Sequence, residues 1–106
     1  MTDYNAGDII LVPFPLGDQF TPKKRPAAII FVETDQVTMA QITGNLTRSP
    51  RKGDYLITNW QECGLLRPSL VRRRFATIPI SAVLRKIGNL GKEDFDKTLT
   101  ELLRQQ

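Results

Sequence analysis

The sequence predicts a mainly β fold that ends in one α-helix. Short apolar runs separated by turn-forming residues fill most of the 106 positions, and helical periodicity is confined to the C-terminal tail. Many short strands with turns between them, followed by one helix, suggest a small barrel or half-barrel. A chain of this length is expected to form a single domain over residues 1–106 with one modest core.

Residues 9–14 are apolar throughout, as expected of a strand buried on both faces, and Pro13 and Pro15 end its pairing or put that end at an edge. Asp8, after Gly7, sets the turn into it. Residues 17–24 read as a loop, with Asp18, Thr21 and Pro22 as turn formers. Residues 27–32 form a second strand. A tight turn at 33–36 leads to a third over 37–43, where Val37, Met39 and Gln41 alternate with Thr38, Ala40 and Ile42. Residues 44–53 are a polar, basic loop and 54–58 a fourth strand. Residues 65–78 hold two further short strands around Pro68 and Arg72-Arg73-Arg74. One helical turn is expected at 81–84 and a last strand at 85–90. In the tail, Phe95, Leu99, Leu102 and Leu103 fall at i, i+4, i+7 and i+8. Glu93 and Asp94 near the start and Arg104 near the end suit the helix dipole.

Fifteen basic against eleven acidic residues give a net charge of +4, which favours an anionic partner, nucleic acid first. The N-terminal residues lack the basic and apolar blocks of a signal peptide, and no apolar run reaches the roughly 20 residues that span a bilayer. A cytoplasmic protein without membrane association is expected. Cys63 is the one cysteine, so neither an internal disulfide nor a multi-cysteine zinc site is possible. The carboxylates are scattered and form no Mg²⁺ ligand string. The chain also has no histidine, so any acid–base chemistry must use other groups.

Five motifs occur in an order and spacing that resemble the PemK/MazF family of bacterial toxin–antitoxin toxins. They are Gly7-Asp8-Ile9-Ile10-Leu11-Val12-Pro13-Phe14-Pro15, Lys24-Arg25-Pro26-Ala27, Gln41-Ile42-Thr43, Gly64-Leu65-Leu66-Arg67-Pro68-Ser69 and Ile87-Gly88-Asn89-Leu90. The likeness runs over nearly the whole chain. It implies an SH3-like small barrel of the MazF/CcdB type with a C-terminal helix. It also implies a homodimer and a sequence-specific endoribonuclease that cuts single-stranded RNA without a metal or other cofactor. A cognate antitoxin, whose disordered tail blocks the RNA site, is the implied protein partner.

By the same resemblance Arg25 and Thr43 are the catalytic residues. A guanidinium matches phosphate oxygens and stays charged at neutral pH, so Arg25 is expected to stabilise charge on the phosphorane. Thr43 is expected to hydrogen-bond a non-bridging oxygen. Lys23 and Lys24 are candidate steering charges. Phe14, Asp18, Gln19, Thr21, Gly44, Asn45, Leu46 and Ser69 complete the candidate RNA-binding set. Two departures from the family pattern bear on specificity: Gly44 stands where serine is frequent, and Thr21-Pro22-Lys23 replaces a glycine-bearing loop.

Other residues have plainer readings. Arg72-Arg73-Arg74 read as solvated charges or dimer contacts, and Trp60 and Cys63 as structural. Two further functional classes stay open at this level: a CcdB-like gyrase-poisoning toxin, and a non-catalytic nucleic-acid- or antitoxin-binding domain. The tail Leu102-Leu103-Arg104-Gln105-Gln106 lacks the aromatic end that CcdB uses.

Overall fold

The computed structural model describes residues 3–14, 23–46 and 53–104. Six antiparallel strands form one sheet: β1 (Asp8–Phe14), β2 (Lys23–Val32), β3 (Gln36–Thr43), β4 (Tyr55–Leu56), β5 (Leu70–Pro79) and β6 (Arg85–Asn89). Their order is β4-β5-β3-β2-β1-β6, and α1 (Gly91–Leu102) follows β6. The result is a mainly β half-barrel with one C-terminal helix. No helix among the described residues is long and apolar enough to cross a membrane.

Alternating side chains put two apolar cores on the two faces of the sheet. Ile9, Ala28, Ala40, Ile42, Val71, Leu90 and Leu102 pack together under α1. Ile10, Val12, Ala27, Ile29, Val37 and Met39 pack on the opposite face. Burial on both faces is why β1 reads as a continuous apolar run. The turn after β2 is closed by Glu33 N donating to the Gln36 carbonyl at 2.8 Å. At the start of β1, Asn5 N donates to Asp8 Oδ2 at 2.8 Å, and Gly7 has a φ of 94°, a region that favours glycine.

The structure departs from the sequence reading in four places. Residues 65–78 hold one long strand, β5, rather than two short ones. The arginine triplet sits where its register with β3 shifts, between the Ala40–Phe75 and Ile42–Val71 pairs, so the bulge absorbs it without ending the strand. The fourth strand keeps only Tyr55–Leu56. β2 begins at Lys23, which puts Lys23, Lys24 and Arg25 in the ladder opposite Phe14, Pro13 and Val12 instead of in a loop. Leu103 lies beyond the helix end and is 73% exposed, so the helical core stripe stops at Leu102.

The two ends of the open sheet are brought together by a backbone contact. A Cβ on Gly88 of β6 would overlap the Cys63 carbonyl oxygen, and one on Gly64 would lie 2.8 Å from the Ile87 carbonyl oxygen. The segment that follows β4 thus folds over β6 through two glycines. It is held from the other side by Asp94 of α1, which is 2% exposed. Asp94 Oδ1 accepts from the Tyr55 hydroxyl at 2.5 Å and the Thr58 amide at 3.3 Å, and Oδ2 accepts from the Asn59 amide at 3.2 Å.

A candidate anion-binding cleft

At one end of the sheet a cleft of about 540 Å³ opens between strand ends and the segment leading into β5. Leu11, Pro26, Ile42 and Ile87 supply apolar lining, and Lys24, Arg25, Arg67 and Arg85 supply four positive charges. Among the described residues no carboxylate lines it. The sheet register explains the convergence. Leu11 pairs with Pro26 on one side and Arg85 on the other. The β2–β3 ladder pairs Ala27 with Gln41, and both Arg25 and Thr43, each two residues further toward that end, line the cleft.

Four cations elsewhere on the described surface have carboxylate partners. Arg72 meets Asp54 at 3.7 Å, Lys86 meets Asp8 at 3.3 Å, Lys97 meets Glu93 at 3.0 Å and Arg104 meets Glu101 at 2.6 Å. Among the described residues, Lys24, Arg25, Arg67 and Arg85 make no ion pair. Arg25 is half-buried, and its Nε is buried without a hydrogen-bond partner. An unsatisfied buried donor costs about 1–3 kcal/mol, which an anionic ligand would offset. A second cavity of similar size has the opposite character, with Asp3 and Asp35 beside Tyr4 and no cation among the described residues that line it.

Thr43 is 8% exposed, and its Oγ1 accepts a 3.1 Å hydrogen bond from the Asn45 amide. With that lone pair engaged, the hydroxyl hydrogen is left to donate to a ligand. Ser69 is buried and its Oγ donates to the Arg67 carbonyl at 2.9 Å, which fixes the turn carrying Arg67.

Of the sequence candidates, Lys24, Arg25, Thr43, Gly44, Asn45 and Ser69 all line this cleft. Lys23 is exposed at the start of β2, and Leu46 is 39% exposed just past Asn45; neither lines it. Asp18, Gln19 and Thr21, together with the Phe14 side chain, lie outside the described residues. Arg67, Arg85, Leu65 and Leu66 line the cleft and were not singled out in the sequence. Arg67 and Leu65-Leu66 belong to the Gly64–Ser69 motif, but only the folded arrangement, which brings Arg67 and Arg85 to the same cleft as Arg25, marks them as different. Two residues of the arginine triplet are engaged within the chain: besides the Arg72–Asp54 pair, Arg73 donates to the Arg104 carbonyl at 2.9 Å. Cys63 is buried in the core and Trp60 packs against it. The described residues hold no group of three or more His, Cys, Asp or Glu suited to a metal ion.

A half-barrel with a helix at its C-terminal end and a cation-lined cleft at its strand ends defines the structural class. Within that class, the chain belongs to the family of PemK-like, MazF-like toxins of type II toxin–antitoxin systems, whose model matches residues 5–105. Among solved structures, it is similar to the Mycobacterium tuberculosis toxin MazF-mt6, with 25% identity over 91% of each chain and a TM-score of 0.69. A Mycobacterium tuberculosis toxin structure is 28% identical over 74% of this chain and 88% of that one, with a TM-score of 0.60. An endoribonuclease from a mycobacterial species, in complex with its cognate antitoxin, shares the fold. It shows 15% identity over 96% of this chain and 91% of that one, at a TM-score of 0.68. No curated protein matches the sequence.

Proposed function

We propose that this toxin is an endoribonuclease that cleaves single-stranded RNA at the Arg25–Thr43 cleft. The observation that carries the reading is the convergence of four cations and the Thr43 hydroxyl in a cleft that no carboxylate lines among the described residues. Such a lining attracts anions, and the planar guanidinium forks match the oxygens of a phosphodiester chain.

In this reading the substrate supplies its own nucleophile. The 2′-oxygen attacks the adjacent phosphorus, its proton passes to water, and the bond to the 5′-oxygen breaks. That oxygen takes a proton from water, leaving a 2′,3′-cyclic phosphate and a free 5′-hydroxyl. Negative charge grows on the non-bridging oxygens as the phosphorane forms. Arg25 stabilises that charge with its guanidinium, and Thr43 donates its hydroxyl to one of those oxygens. Arg25 acts as a fixed cation, because a guanidinium holds its proton at neutral pH. Lys24 draws the strand toward the cleft.

The family reading extends to partners. A cognate antitoxin with an acidic, disordered segment would compete with RNA for the same cations, and two copies of the toxin would associate as a homodimer. The direct test is incubation of the purified protein with a long single-stranded RNA in EDTA. Fragments ending in 2′,3′-cyclic phosphate support the proposal, and intact RNA contradicts it.

A further inference from the structure

We infer that Arg67 is a second phosphate-binding residue, made possible by the missing side chain at Gly44; the inference rests on the RNA-cleaving reading of the cleft. The two residues are in direct contact. A Cβ built on Gly44 would lie 2.8 Å from Arg67 Cγ and overlap Cδ, with Nε 3.3 Å away. Arg67 therefore lies across the backbone of the residue that follows Thr43. Any side chain at position 44 would push it off.

The turn that carries Arg67 is fixed before any ligand arrives. Ser69 Oγ donates to the Arg67 carbonyl at 2.9 Å, and the Ile57 amide donates to the Ser69 carbonyl at 3.0 Å. Leu65 N also donates to the Trp60 carbonyl at 3.2 Å. The backbone is thus held on both sides of Arg67, while the side chain is exposed and forms no ion pair among the described residues. An arginine on a braced turn, beside a hydroxyl donor and facing other cations, is arranged for an anion. Arg25 and Thr43 serve the scissile phosphate, so Arg67 takes a neighbouring phosphate and sets the register of the strand. The chain forgoes a hydroxyl at position 44 and gains a guanidinium over the same spot.

The test is a binding titration with single-stranded RNA bearing 2′-O-methyl sugars, which has no nucleophile and cannot be cleaved. Affinity is measured between about 50 and 200 mM salt. Arg67→Ala is expected to weaken binding about tenfold at low salt and to flatten the slope of log K against log salt by about 0.7. Arg67→Lys is expected to restore the slope. Gly44→Ser is expected to reproduce the loss with Arg67 present, and the double variant to be no weaker than either single one. A wild-type slope in Arg67→Ala overturns the inference while leaving the proposed function standing. Wild-type protein that neither binds the methylated strand nor cuts ordinary RNA overturns the proposed function, and this inference with it.

Discussion

The Tyr55 hydroxyl donates a 2.5 Å hydrogen bond to Oδ1 of Asp94, tying β4 to the first turn of α1. The same carboxylate takes the amides of Thr58 and Asn59, so a single buried side chain braces the segment that runs on to Gly64, Leu65 and Leu66 in the cleft wall. Asp94 also stands where a negative charge suits the helix dipole. The helix, distant in sequence from Arg25 and Thr43, thereby shapes the far side of their cleft.

Asp94→Ala leaves a hydroxyl and two amides without their acceptor. Removing hydrogen bonds to a charged group costs about 1.5–3 kcal/mol each, with partial recovery by water, so an overall loss of about 3 kcal/mol is expected. Urea denaturation monitored by Trp60 fluorescence measures it. A change below about 0.5 kcal/mol, the scale of an ordinary surface substitution, would contradict the bracing role.

Alkaline pH should weaken the same region. Burial raises the Tyr55 phenol above its usual 10.0, with the Asp94 hydrogen bond adding to the effect. Burial likewise raises the Cys63 thiol above its usual 9.0. Both protons are held more tightly in the folded chain. Their contribution to stability is whole below the unfolded values and is lost as pH rises through the folded ones. Urea midpoints are expected to be insensitive to these groups up to about pH 9 and to fall above it. In Tyr55→Phe the fall should be shallower.

Gly88→Ala probes the closure of the half-barrel. Its Cβ would overlap the Cys63 carbonyl, a backbone atom that cannot rotate away, so β6 and the segment at 63–64 must separate. Overpacking of this kind costs about 1–3 kcal/mol. Because Gly64 and Ile87 line the cleft, RNA cleavage should fall along with the melting temperature. An alanine variant with wild-type stability would show that the contact is looser than described.

Thr98 offers a change in the other direction. Its side chain is fully buried in α1, and Oγ1 has no hydrogen-bond partner. Thr98→Val keeps the shape and removes the unsatisfied hydroxyl, and a gain of about 1 kcal/mol is expected in urea denaturation.

Much of this architecture was legible in the sequence because its signals are local. Apolar runs, the turn at 33–36 and the spacing of Phe95, Leu99 and Leu102 each report short-range geometry. The continuity of β5 was not legible, because three successive arginines look like an interruption. In the fold they sit in a bulge opposite β3, where Arg72 meets Asp54 and Arg73 meets the Arg104 carbonyl. The family likeness pointed to Arg25 and Thr43 but passed over Arg67 and Arg85. An exposed arginine in a sequence has no mark that distinguishes a solvated charge from one turned toward a ligand. That distinction appears when the fold brings Lys24, Arg25, Arg67 and Arg85 from separate segments to line one cleft.

The central claim is that Arg25 stabilises charge on the scissile phosphate, and its most direct test is single-turnover cleavage of single-stranded RNA in EDTA by wild type and Arg25→Ala. The account predicts a rate loss of about 10²–10³-fold in the variant, with circular dichroism and urea midpoint close to wild type. A correctly folded Arg25→Ala protein that cleaves at the wild-type rate would contradict it.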